Sequence, residues 1–273
     1  MNDSDDPMMA TYPPSDASPP KRRGRPPGSG KKPPLHLLTK PAPGELEVDV
    51  TAFLVMLSAL DFTALGSDDR TLLVLMRDTS PSEIESEGEF RESGNAIPAV
   101  LAADQLAASR VDVLLAHGAE DLEFVACEHS KNFRMPDKVT YGKGTHAAPW
   151  FQKIIAAVRA YEAHLAEQGM GVKGVYVVFA SDFRFGDHFV PALEEFRAFQ
   201  RAHPKVVVIP AGHGAWIPEV AEKVSVREEP IDLNELRITD FIRIIAESVR
   251  EVSSCTTARA EEILHEKLKA LRV

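Results

Sequence analysis

A run of cations near the start of the chain, Lys21-Arg22-Arg23-Gly24-Arg25-Pro26-Pro27-Gly28-Ser29-Gly30-Lys31-Lys32, carries guanidinium and ammonium groups suited to a phosphate backbone. A second basic stretch, residues 129–146, holds His129, Lys131, Asn132, Arg134, Lys138, Tyr141, Lys143 and His146 against one acid, Asp137. It follows directly on Glu128, which leaves an apolar run, and Asp112 lies in the apolar run before that. His129, His146 and Glu128 offer imidazole and carboxylate to a metal, although the polar loop between the two histidines speaks for exposed rings. His117 and Cys127 would make a nucleophile and base pair, but only nine residues separate them, too few for two well-separated strand ends. Gly212-His213-Gly214 reads as a turn and Gly169-Met170-Gly171 as a helix stop. The chain holds no phosphate-loop motif.

The core Arg23-Gly24-Arg25-Pro26 resembles the AT-hook of minor-groove chromatin proteins. That resemblance implies A·T-rich double-stranded DNA as a partner, whose narrow minor groove has an enhanced negative potential. Arg23 and Arg25 would lie along the groove. Gly24 has no side chain to block the approach, and Pro26 stiffens an extended backbone. Lys21, Arg22, Lys31 and Lys32 would pair with flanking phosphates.

In the body, an Asp in one strand, a short turn, a Glu leaving the next strand, then a helix and a further strand make an order that resembles the PD-(D/E)xK nuclease superfamily. Ala180-Ser181-Asp182-Phe183-Arg184 is similar to the stretch after this strand in type IV restriction-like members. The resemblance implies a restriction-endonuclease-like fold and Mg²⁺-dependent phosphodiester hydrolysis, with Asp112 and Glu128 as the metal ligands. Ser130 stands where the family has Lys. Lys131 is the nearest substitute as the catalytic cation, with Lys138, Lys143 and Lys153 as others, and Arg134 and Lys143 would add DNA contacts. The alternative is a non-catalytic, chromosome-associated regulator or scaffold tethered by the hook.

The elements that must position these residues alternate between strand and helix. Apolar runs predict strands over Thr71–Met76, Val111–Ala116, Leu122–Cys127, Gly174–Ala180 and Lys205–Pro210. Helical spacing marks Val50–Phe62, Pro98–Ser109, Pro149–Gln168, 188–202, 232–250 and 256–271, while acidic Pro81–Gly94 and polar Asn132–Thr145 read as loops. The expected class is α/β, a central mixed sheet flanked by helices, with a disordered N-terminal tail. The expected division is a Pro-rich basic tail (1–44), an α/β domain (45–230) and C-terminal helices (231–273). Those helices would pack on the domain or form a homodimer seam through Phe241, Ile242, Ile244, Ile245 and Val249, then Ile263, Leu264, Leu268 and Leu271.

Composition supports this division. Residues 1–44 contain eleven of the twenty prolines, too few apolar groups for a core, and seven Lys/Arg against four Asp. The remainder has 24 basic and 37 acidic residues, so a cationic arm joins an anionic body, and the whole has net charge −10. Two cysteines are too few for a disulfide framework or thiolate metal site. No apolar stretch approaches the ~20 residues of a membrane span, and no apolar signal core leads the chain. The expected location is cytoplasmic, associated with nucleoid or chromosome.

Overall fold

The computed structural model describes residues 48–62 and 69–254, with isolated positions 263, 266, 267, 269 and 270. The hook residues 21–32 and most of the predicted 256–271 helix lie outside the described residues.

The sheet grows from its longest fully buried strand. β1 (Arg70–Asp78) is buried over all nine residues. β2 (Val111–Gly118) lies parallel to it on one side and β4 (Val172–Ser181) on the other. β3 (Leu122–His129) returns antiparallel to β2 at one edge, and β5 (Val206–Gly212) and short β6 (Ile231–Asp232) extend the other edge in parallel. The order is β3-β2-β1-β4-β5-β6, an α/β fold with a mixed central sheet. This is a doubly wound arrangement whose order reverses at β1 and β4. It corrects the restriction-endonuclease-like expectation. The hairpin carrying Asp112 and Glu128 forms one edge of the sheet, with β3 outermost, while the sheet is centred on β1 and β4.

Strand alternation divides the core into two layers. Leu72, Val74 and Met76 face α1 (Thr51–Ala59), α4 (Ala147–Glu167) and α5 (Val190–Ala202). Leu73 and Leu75 face α2 (Glu87–Ala102) and α7 (Ile238–Ser254). α3 (Gln105–Arg110) leads into β2, and α6 (Pro218–Val224) follows β5. The α7 residues Phe241, Ile242, Ile245 and Val249 are buried in this second layer, so this helix packs on the domain; Leu264, Leu268 and Leu271 of the expected seam lie outside the described residues. Among the described residues, no helix is long and apolar enough to cross a membrane.

One element differs in kind from its sequence pattern. Pro81–Gly94 is not a loop. A 3₁₀ turn (Pro81–Ser86) runs into α2, which continues through Pro98. Buried Phe90, Gly94, Ile97 and Leu101 recur every three to four residues and give the acidic segment one apolar stripe.

Candidate metal centre

The structure does not bring Asp112 and Glu128 together. In the β2–β3 ladder Asp112 stands opposite His129, whereas Glu128 stands opposite Val113, one row away. Adjacent rows point to opposite faces of a sheet. Glu128 is exposed and Asp112 is fully buried. Both Asp112 oxygens are occupied. Arg70 Nε donates to Oδ2 at 3.0 Å, Arg70 Nη2 to Oδ1, and Tyr161 Oη to Oδ2 at 2.6 Å, while His129 Nδ1 lies 2.6 Å from Oδ1. Burial first, then the Asp112 charge, pushes the Tyr161 phenol well up, so it stays protonated and donates. This is a buried ion-pair network beneath the start of β1 and β2.

The basic loop is also dispersed. Exposed Lys131 and Arg134 line an open groove beside Asn95, Pro98 and Asp137, and the exposed Lys143 backbone N–H donates to Glu120. Lys153 pairs with Asp121 at 2.7 Å. Among the described residues none of these cations makes a hydrogen bond or ion pair with Asp112 or Glu128, and Ser130 donates to the Ala108 carbonyl. The nuclease reading is therefore corrected: its two carboxylates and its lysine do not form one site.

Oxygen ligands gather instead at the other end of β1, where the strand order reverses. Open α/β sheets leave a crevice beyond the carboxyl ends of their strands at such a point. β1 ends at Asp78 and runs into Thr79-Ser80-Pro81-Ser82, and β4 ends at Ser181 followed by Asp182. Ser80 N–H donates to Asp78 Oδ1 at 2.8 Å, and Ser181 Oγ donates to Asp78 Oδ2 at 2.7 Å. Ser80 Oγ and Ser82 Oγ are 2.9 Å apart, and Ser82 Oγ donates to Asp182 Oδ2 at 3.0 Å. Two carboxylates and three hydroxyls from both sides of the crevice thus form one chain of contacts. Ser82 is exposed at its open end, and Asp78 is fully buried at its base.

Burial, only partly offset by the Ser80 and Ser181 hydrogen bonds, raises the Asp78 carboxyl from 3.8 to about 6. The next loop is held in an uncommon conformation. Phe183 has φ 57°, in the left-handed region that costs a bulky residue ~1–3 kcal/mol. Its N–H donates to Ser181 Oγ at 2.9 Å, and its ring is buried 5.7 Å from that of Phe179. The same turn directs Arg184 N–H to Asp182 Oδ1 at 2.9 Å.

A third loop closes on these two. Gly142 N–H donates to the Thr79 carbonyl at 3.0 Å, and Gly186 N–H to the Thr145 carbonyl at 2.8 Å. Asp187 accepts from Ala147 and Ala148 N–H at 3.0 and 2.8 Å, capping α4 from the 183–188 loop. Thr145, which is buried, lies on the loop bonded to both flanks.

The donor set is all oxygen, which suits a hard divalent cation. Among the described residues no three His, Cys, Asp or Glu side chains gather to hold a metal; here hydroxyls supply the remaining donors. The sequence signal was Asp78-x-Ser80-x-Ser82, a carboxylate with hydroxyls at alternate positions directly after an apolar run.

Comparison with known proteins gives likeness in structure only. No family model matches the chain, and no curated protein matches it. Solved structures similar to it include a von Willebrand factor type A protein from Catenulispora acidiphila, 9% identical with TM-score 0.47, over 67% of this chain and 43% of that one. Another is proximal thread matrix protein 1 from the mussel byssus with a zinc-occupied MIDAS motif, 10% identical with TM-score 0.45, over 68% and 48%. A third is the pilus adhesin SpaC from Lactobacillus rhamnosus GG, 10% identical with TM-score 0.46, over 68% and 30%. The chain thus spans half or less of the length of each of these three structures. One is described as a matrix protein and one as a pilus adhesin, and none of the three as a nuclease or nucleoid protein. The expectations of A·T-rich DNA as partner and of a cytoplasmic, nucleoid or chromosome-associated location find no support in these likenesses and are not carried further.

Proposed function

We propose that this chain is a divalent-cation-dependent binding module. The observation that carries the reading is the linked set Asp78, Ser80, Ser82 and Asp182 at the point where the sheet order reverses. These four residues, with Thr145 from the third loop, would hold the cation. When bound, the cation would supply a positive centre for a carboxylate of a partner protein. Mg²⁺ is one ion that an all-oxygen set suits. The protein's own groups fix the donors: Ser181 orients Asp78, Arg184 N–H orients Asp182, and Asp187 pins the flanking loop to α4. The hydrogen bonds recorded to the two carboxylates come from hydroxyls and backbone N–H groups, which favours coordination over proton transfer.

Thermal melting in EDTA and in saturating Mg²⁺, Mn²⁺, Ca²⁺ or Zn²⁺ tests this. A cation at a hundred times its Kd should add about 2.7 kcal/mol of stability. Asp182→Ala should lose that increment. Identical midpoints in EDTA and in all four cations would remove the reading.

A further inference from the structure

Arg77 precedes Asp78 on β1 and projects to the opposite face, into the layer of α2 and α7. It is 2% exposed. Its Nη2 donates both to the Glu83 carbonyl at 3.2 Å and to Tyr141 Oη at 3.1 Å. The guanidinium carbon lies 4.8 Å from the centre of the Phe90 ring and 6.0 Å from that of Tyr141. Tyr141 Oη in turn donates to Glu87 Oε2 at 3.0 Å. Arg77 Nε and Nη1 are buried without a hydrogen-bond partner.

A buried guanidinium with two nitrogens unmatched is a costly way to fill this space. An apolar side chain of similar volume commonly does so at equal or lower free energy. What the arginine provides is placement. Glu83 directly follows Ser82, and Tyr141 lies on the loop that leads to Thr145. One planar group, joined through the backbone to Asp78, thereby ties down both hydroxyl-bearing loops.

We propose that Arg77 is the positioning residue of the cation site, setting Ser80, Ser82 and Thr145 in register with Asp78. This rests on the cation reading above. Its test compares full-length wild type, Arg77→Met, Arg77→Lys and Tyr141→Phe, by Mn²⁺ calorimetry and by the melting midpoint in EDTA. Arg77→Met should melt in EDTA at or above the wild-type midpoint, yet bind Mn²⁺ ~10–100-fold more weakly, the usual cost of losing a group that orients metal ligands. Arg77→Lys should recover part of the affinity, because an ammonium reaches one of the two acceptors. Tyr141→Phe should lose less than Arg77→Met, since it frees the Thr145 loop alone.

Unchanged affinity in Arg77→Met, with the wild type binding Mn²⁺, would overturn the inference and leave the cation reading standing. Absence of Mn²⁺ binding in the wild type would remove both. If Arg77→Met does not fold, Tyr141→Phe decides, and wild-type affinity there counts against the inference.

Discussion

Asp78→Asn should make the cation-free protein more stable at neutral pH and abolish cation binding at the same time. The carboxyl sits at the closed base of the site, raised from 3.8 to about 6 by burial. Its folded pKa lies above its unfolded value, so the folded state holds the proton more tightly. The stability this confers is fully present below 3.8 and lost as pH rises through about 6. At pH 7 the ionised, buried group therefore leaves the protein roughly 3 kcal/mol less stable than its protonated form would.

Asparagine removes that charge and keeps the geometry. Its oxygen accepts from Ser80 N–H, and its amide donates to Ser181 Oγ, which already accepts from Phe183 N–H. Urea unfolding in EDTA should show wild-type stability falling between pH 4 and about 6, and this group's contribution should be absent from the variant. Cation binding runs the other way, because a proton competes for the same carboxylate. Mn²⁺ affinity should drop about tenfold per pH unit below 6. A variant less stable than wild type at pH 7 would mean that Asp78 is an ordinary structural carboxylate.

The sequence carried most of the elements and concealed the site, and both outcomes have physical causes. The apolar run that marks β1 ends at Met76, but the strand continues through Arg77 and Asp78, both buried. Polar residues at a strand's carboxyl end break the hydrophobic pattern where a doubly wound sheet places its ligands. The strand predicted over Thr71–Met76 thus stops short of Asp78. The Asp112–Glu128 pair failed for a different reason. Which face each acid takes depends on hairpin register, and a one-residue slip reverses it. The ladder shifts between Leu115 and Ala116, an irregularity no local pattern announces. The partners of Asp112, Arg70 and Tyr161, lie 42 and 49 residues away in the chain. A lone acid in an apolar strand therefore reads as a ligand until its fold supplies a counter-ion. In α2 the error came from composition. Six acids and serines among the eight residues 82–89 resemble a loop, and only the Phe90–Leu101 stripe, interrupted by Pro98, betrays the helix.

Asp112→Ala should therefore be a folding mutation with no effect on cation affinity. The side chain is fully buried and holds Arg70, Tyr161 and His129 together. Removing it leaves a guanidinium with 2% side-chain exposure and no counter-charge. Breaking such a pair typically costs about 3–5 kcal/mol, a large part of the ~5–15 kcal/mol available to a domain. Removing both charges should cost less. Arg70→Met with Asp112→Leu should recover much of the loss, because the penalty lies in the stranded charge more than in the lost attraction. Asp78 and Arg70 end the same nine-residue strand, ~25 Å apart at 3.3 Å per residue. Sites this far apart contribute additively, within about 0.5 kcal/mol. Asp78→Asn should then offset part of the damage from Asp112→Ala in the cation-free protein. Calorimetry on the folded Asp112→Ala protein should return the wild-type Mn²⁺ affinity. A large loss there would place Asp112 in the binding chemistry after all and show that the two ends of β1 are coupled.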